Sequence, residues 1–423
     1  MIYLPLHALE RFSFVLVRLP RLARLVRMSI MDEEARSFHL SARTRALDFS
    51  GIRKAFERGA KLKDPINLSI GQPDFPVPSE LKHAAMTAIG SDRNGYSLTQ
   101  GDAAALAAIE HHLAADLGKN FVQDAGVMLT SGTSGGLVLA MMALLDPGDE
   151  IIIPDPWFVA YPAMARVCEA KAVPCPLGPD FRMTADKVAP LITSKTRAVL
   201  LNAPANPTGV LPTQAEMDAL ARLCREKGVI LISDEIYDAF VFPDGLDEEG
   251  RMPSPARHDN SVLVIRGFGK SYGCTGWRLG YAAGPASIVA EMRKLQQFVY
   301  VCPPTPLQMA IPAALEVDLS PIVTRYARRR DMVMEAFDGV AEVPRPEGAF
   351  YAWVRVPEEL GLTGTECTEL AMQANVIVIP GDVFSSQDTH IRLSYATSEA
   401  KLAQGLGRIR AIFRGTSPEK VRE

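Results

Sequence analysis

The chain of 423 residues lacks the marks of several large protein classes. Its six cysteines, Cys168, Cys175, Cys224, Cys274, Cys302 and Cys367, contain no C-x-x-C pair and lie in apolar surroundings. That argues against a disulfide framework or a zinc site and reads as reduced core thiols of a cytoplasmic protein. The seven histidines show no ligand spacing, and adjacent His111 and His112 would point in different directions on a helix, so no metal is expected. With a formal net charge of −4 and no long basic run, nucleic acid is not an expected partner. The apolar stretch 12–17 falls far short of the roughly 20 residues a membrane span needs. There is no internal repeat and no low-complexity segment.

The first 30 residues differ from the rest, because Arg11, Arg18, Arg21, Arg24 and Arg27 interleave with apolar residues. They read either as a basic amphipathic extension or as sequence ahead of a true start at Met28 or Met31. Residues 1–35 are therefore expected to be peripheral.

The most informative stretch runs from Val262 to Tyr281. It opens as a buried strand, 262–265, and breaks into a glycine-dense loop carrying Lys270. An ammonium at the end of a buried strand must be paired, deprotonated or covalently used. Gly267, Gly269 and Gly273 let backbone approach whatever the lysine holds, and Arg278 offers a planar fork suited to phosphate. A solvated surface lysine is the bland reading. A nucleotide loop is the sharper rival, since Gly269-Lys270-Ser271 imitates the end of a phosphate-loop pattern. That pattern would put its first glycine at Val264, inside the strand, and the acidic strand 229–235 precedes the lysine loop, the reverse of the usual order.

Short apolar strands at 127–130, 151–154, 198–202, 229–234 and 262–265, separated by helices, predict an α/β fold with a mainly parallel sheet covered on both faces. Ligands of such sheets sit beyond the carboxyl ends of the strands. Polar residues collect there: Asn202 and Asn206, Asp234 and Tyr237, and Lys270, with Phe158 after an earlier strand. The turn 131–136, between strand and helix, presents free N–H groups and a helix N-terminus to an anion. Helical patterns are expected over 41–59, 81–89, 216–227, 320–337 (capped by Ser320-Pro321) and 398–413, with strands at 349–356, 376–379 and 390–395. Arg328-Arg329-Arg330 reads as a solvated helix face.

By residue type, these positions supply an amine (Lys270), a carboxylate (Asp234), a phenol (Tyr237), a carboxamide (Asn206), an aromatic plane (Phe158 or Trp157), an anion cradle and two arginines (Arg278, Arg392). Each suits a phosphorylated heteroaromatic aldehyde. Five motifs in order, Ile70-Gly-Gln-Pro-Asp-Phe75, Asn206-Pro-Thr-Gly209, Ser233-Asp-Glu-Ile-Tyr237, Gly269-Lys-Ser-Tyr-Gly-Cys-Thr-Gly-Trp-Arg278 and Ile391-Arg-Leu-Ser-Tyr395, cover the chain from about residue 50. In these the chain resembles the class I, fold-type I aminotransferases dependent on pyridoxal 5′-phosphate, in their aspartate/aromatic-aminotransferase-like branch.

The resemblance implies a large domain at 81–305 with a seven-stranded, mainly parallel sheet, and a smaller α+β domain from 36–80 and 306–423. It makes Lys270 the Schiff-base lysine, Asp234 the partner of the pyridinium nitrogen, and Tyr237 and Asn206 the ligands of the ring oxygen. Phe158 would stack on the ring, and Arg278 with Gly132, Thr133 and Ser134 would bind phosphate, helped by Tyr96 from the second subunit of a homodimer. Arg392 would hold the α-carboxylate, and Gly71 would admit the substrate to the backbone. The implied reaction is ping-pong exchange of an amino group between an L-amino acid and a 2-oxo acid. A lyase or decarboxylase of the same fold and a cofactor-sensing regulatory domain are the alternatives. Two departures from the family pattern stand out. Gly267 occupies a position where a phosphate-binding serine is frequent. Gln297 and Ser134 fall where acidic-substrate members carry cations, which leaves neutral or aromatic amino acids open, unless an arginine elsewhere, such as one near 41–45, restores acidic specificity.

Overall fold

The computed structural model describes residues 39–422. The basic stretch holding Arg11 to Arg27, with Met28 and Met31, lies outside the described residues. Residues 39–48 belong to a first compact unit and carry one short helix, Ala42–Arg45, capped by Ser41. The helical pattern expected over 41–59 is thus two helices, the second being Gly51–Gly59, which opens the main compact unit that starts at Phe49.

The main unit contains β1 (Ile66–Asn67), β2 (Ala125–Ser131), β3 (Glu150–Asp155), β4 (Lys171–Pro176), β5 (Thr196–Asn202), β6 (Ile230–Asp234), β7 (Leu263–Gly267) and β8 (Leu279–Pro285). After these come β9 (Tyr351–Arg355), β10 (Val376–Ile377), β11 (Ile379–Pro380) and β12 (His390–Ser394). Seven of them form one sheet in the order β2-β8-β7-β6-β5-β3-β4. Only β8 runs antiparallel to its neighbours, so the sheet is mainly parallel, as expected. The unbroken apolar run of β5 follows from burial on two sides: Ala198 and Leu200 pack into one core layer, Val199 and Leu201 into the layer opposite.

Two strands of this sheet carry no clear strand signal. β4 includes Pro174 and Pro176, which an edge strand tolerates, and β8 includes Gly280 and Gly284. Gly280 is required sterically: a Cβ there would lie 2.7 Å from the backbone of Gly132 and Thr133 and 3.0 Å from the Arg266 carbonyl. The close crossing of β8 over the β2–helix junction therefore depends on a missing side chain.

A second core surrounds the antiparallel sheet β11-β12-β9 and the parallel pair β1–β10, with Ile66 and Leu68 packed among Phe350, Val376 and Leu393. The single strand expected at 376–379 is split, because β10 pairs with β1 while β11 pairs with β12. Helix Ser320–Phe337 begins at Ser320 itself. Leu319 occupies the cap position, with no side-chain cap bond, and Pro321 sits in the first turn.

The reading of 328–330 as a solvated face is wrong for two of its three arginines. Arg328 is exposed, but Arg329 and Arg330 are each only 4% exposed. Arg329 makes a two-bond pair with Asp74, at 2.9 and 2.8 Å, and Arg330 reaches Asp244 at 2.8 and 2.9 Å. A charge run does not reveal which of its members will find acids brought in from distant sequence. Of the cysteines, none is disulfide-bonded among the described residues, and Cys175, Cys224, Cys274 and Cys367 are buried. No described helix is long and apolar enough to cross a membrane.

Replacing Gly280 by alanine should force the β2–helix junction apart and destabilise the protein by about 1–3 kcal/mol, as overpacking does. The urea unfolding midpoint reads this directly; an unchanged midpoint would show that the junction can yield.

Candidate active site

The carboxyl ends of β3, β5, β6 and β7 open onto a cavity of about 280 Å³. Every site residue expected from the sequence lines it except Tyr96, which is 86% exposed on this chain. Trp157, the alternative aromatic, does not line it; Phe158 does.

Lys270 lies in the short helix Phe268–Ser271, directly after β7, and its Nζ donates to the Gly71 carbonyl. Burial, together with the nearby Arg392 and Arg278 guanidinium groups, pushes its amine down to about 8. An amine there is neutral in a large fraction of molecules near pH 8, unlike an ordinary lysine. Gly71 is held close as well: a Cβ on it would meet the Tyr351 hydroxyl at 2.8 Å.

Asp234 ends β6 and is 3% exposed. Burial pushes its carboxyl up to about 6, against the downward pull of the Tyr161 hydroxyl, which donates to Oδ2 at 2.8 Å, and of the Ile236 N–H, which donates to Oδ1 at 3.3 Å. Among the described residues no cation lies within ion-pairing distance of it. Its neighbour Glu235 points the other way and pairs with Arg266 at 2.8 Å, as strand alternation requires. Tyr161 was not foreseen. It lies three residues after Phe158, edge-on to that ring at 5.5 Å, and only its sequence proximity to Phe158 hinted at it.

The opposite side is built from a chain of hydrogen bonds. Asn202 Nδ2 donates to the Asp234 carbonyl at 3.0 Å, and Asn202 Oδ1 accepts from the Asn206 N–H at 2.8 Å. Arg392, on β12, donates to Asn206 Oδ1 at 3.2 Å and to the Ser69 carbonyl at 2.7 Å. Its guanidinium stands 4.6 Å from both the Tyr351 and Phe384 rings, and its buried Nε has no hydrogen-bond partner. Tyr351, also missed from the sequence, shares a 3.0 Å hydrogen bond with the Tyr237 hydroxyl. Burial raises both phenols, so Tyr237 stays protonated.

The residues expected to form a turn at 131–136 are instead the start of the helix Gly132–Leu144. Gly132, Thr133 and Ser134 therefore present helix N-terminal N–H groups towards the cavity, and Arg278 closes the cradle. A Cβ on Gly132 would come within 2.5 Å of the Arg278 guanidinium, and Arg278 itself holds a left-handed backbone, φ 55. Gly267 is closely enclosed: a Cβ there would lie 3.0 Å from Thr133 Cγ2 and 3.2 Å from the Leu279 carbonyl, so a serine would need these neighbours to give by a few tenths of an ångström. Gln297 is exposed and does not line the cavity.

The donor set, an unpaired carboxylate, a depressed amine, an anion cradle and an arginine with a free donor, fits pyridoxal phosphate. The sequence profile described as Aminotransferase class I and II matches residues 63–409. The chain belongs to this family. It is a PLP-dependent aminotransferase with the fold-type I architecture. The enzyme is 35% identical to the aspartate aminotransferase of Rhizobium meliloti, over 88% of this chain and 96% of that one. It is 31% identical to the aromatic-amino-acid aminotransferase 2 of Thermococcus litoralis, over 89% and 98%. The aspartate aminotransferase of Thermus thermophilus, solved with maleate, superposes with a TM-score of 0.80 at 30% identity, covering 89% of this chain and all of that one. These relatives do not favour the lyase alternative.

Because the folded Asp234 carboxyl titrates near 6, above its ordinary 3.8, it favours folding at low pH and that contribution is lost as pH rises through 6. In the cofactor-free enzyme, Tyr161→Phe should cost about 1–3 kcal/mol at pH 7, where the buried carboxylate is ionised and loses a donor. The cost should shrink at pH 5, where the carboxyl is mostly protonated. Equal costs at both pH values, by chemical denaturation, would refute this coupling.

Proposed function

We propose that this cavity performs the enzyme's transamination with Lys270 as the reacting amine and Asp234 as the acid facing it, an amino group being exchanged between an L-amino acid and a 2-oxo acid in ping-pong order. The observation that carries this reading is a single cavity holding both an amine pushed down to about 8 and a buried carboxylate without its own cation.

When bound, pyridoxal phosphate supplies an aldehyde that condenses with amines and a protonated ring that accepts the electron pair left when a substrate α-proton departs. Asp234 would hold the ring nitrogen, and a cation there would compensate its desolvated charge. Tyr237 and Asn206 would take the ring oxygen, Phe158 the ring face. Arg278 and the N–H groups of Gly132, Thr133 and Ser134 would hold the phosphate, with Gly267 contributing nothing. Arg392 would bind the substrate α-carboxylate, as its free Nε and flanking rings favour, and Gly71 would border the substrate. Lys270 Nζ, once free and neutral, would take the α-proton as general base and return it as general acid. Asp234, Lys270 and Tyr237 are thus the catalytic set.

Several further parts of the reading are also ours. Residues 81–305 would form the large cofactor-binding domain, with 36–80 and 306–423 the smaller one; the shared core of Ile66, Leu68 and Phe75 with residues 326–413 supports that grouping. A homodimer would bring the exposed Tyr96 of one subunit to the phosphate of the other. The free thiols suit a cytoplasmic setting.

Lys270→Ala should abolish amino-group exchange, and Asp234→Ala should retain some cofactor while losing most of the rate. Independently of turnover, labelling the cofactor-free enzyme with an amine reagent should show one lysine titrating near pH 8 that is missing in Lys270→Ala. Full exchange activity in Lys270→Ala would end this assignment.

A further inference from the structure

We infer that the enzyme's preferred amino donors have uncharged, apolar side chains, and that Ile52 is a specificity-determining residue facing that side chain. The inference rests on the reading above, in which Lys270, Arg278 and Arg392 serve the amine, the phosphate and the α-carboxylate. Those three are the only lysine, arginine or histidine residues among the described residues lining the cavity. Once they are committed, no described cation remains there to meet a second carboxylate.

What stands in that part of the wall is Ile52. It comes from the helix Gly51–Gly59 and packs with Trp353, Ile379 and Phe384. The same Phe384 ring lies 4.6 Å from the Arg392 guanidinium, so the residue expected to grip the α-carboxylate and the Ile52 surface share one support. The helix is pressed close at this point: a Cβ on Gly51 would meet Val383 Cγ2 at 2.4 Å, so Ile52 has little freedom to withdraw. Burying a carboxylate against such a surface without a partner is unfavourable, whereas burying an aliphatic, thioether or aromatic side chain there gains contact. The named relatives include aspartate aminotransferases, so the proposal separates this enzyme from them by a property of its own cavity.

The test is a donor panel on the holoenzyme with one common 2-oxo acid acceptor. Leucine, methionine and phenylalanine should exceed aspartate in kcat/KM by tenfold or more. Ile52→Ala should lower the apolar donors about 10-fold or more while changing aspartate little, in the range that lost apolar contact gives. Ile52→Arg should raise aspartate relative to leucine by at least tenfold. Binding read without turnover, by titrating the holoenzyme's visible absorbance, should favour 4-methylpentanoate over the dicarboxylate maleate in the parent and less so in Ile52→Arg. Preference for aspartate or glutamate in the parent, as a cation from a second subunit would give, overturns the proposal and leaves transamination standing. An equal fall for all donors in Ile52→Ala also overturns it, since Ile52 would then be structural. Absence of exchange with every donor refutes the reading of the cavity and this inference with it.

Discussion

The site depends on one constraint: a carboxylate, Asp234, is kept at 3% exposure with no cation beside it among the described residues. Burying charge in this way is costly unless something offsets it, and among the described residues only two hydrogen bonds reach the carboxylate, from Tyr161 and from the Ile236 backbone. The contrast with Glu235 is instructive. One residue further along, the chain buries a second acid and gives it Arg266, Ser233 and Ser254. A cation for a buried acid is therefore available at the same strand end, and it goes to Glu235 and not to Asp234. A ligand that brings its own positive charge would complete the arrangement, as a protonated pyridine would in the proposed reading.

The parallel sheet makes that constraint possible. Strands β5, β6 and β7 end side by side, and the hydrogen-bond path from the Asp234 carbonyl through Asn202 and Asn206 ends on Arg392, which belongs to the other sheet. The acid and the arginine are thus held in register by two carboxamides. Arg266, beneath the lysine loop, pairs with Asp116 at 2.6 Å and with Glu235, anchoring β7 against β6 from the reverse face. Arginine suits this place because its fork serves two carboxylates at once.

Much of this was legible in the sequence, for physical reasons that can be named. Fully buried parallel strands must be apolar, so β3, β5, β6 and β7 declare themselves, and polar residues immediately after them mark the ligand side. Strands β4 and β8 escaped because an edge tolerates proline and a tight crossing demands glycine, both of which erase strand signals. Tyr161 and Tyr351 escaped because a phenol inside an apolar stretch looks like core until its hydrogen-bond partner is located. The glycines and serines of 131–136 favour a turn, yet Gly132 is the first residue of a helix.

Arg328, Arg329 and Arg330 show how far a surface-looking feature can reach. Asp74, which Arg329 clasps with both oxygens, sits three residues from Gly71, whose carbonyl receives the Lys270 amine. The helix Ser320–Phe337 thereby braces the segment whose carbonyl meets the Lys270 amine. Two adjacent positions of equal charge consequently carry unequal burdens: the first is exposed, with its guanidinium 3.9 Å from Glu399, whereas at the second a lysine, with a point charge in place of a fork, would give up the paired grip and leave Asp74 leaning more on the Tyr326 hydroxyl.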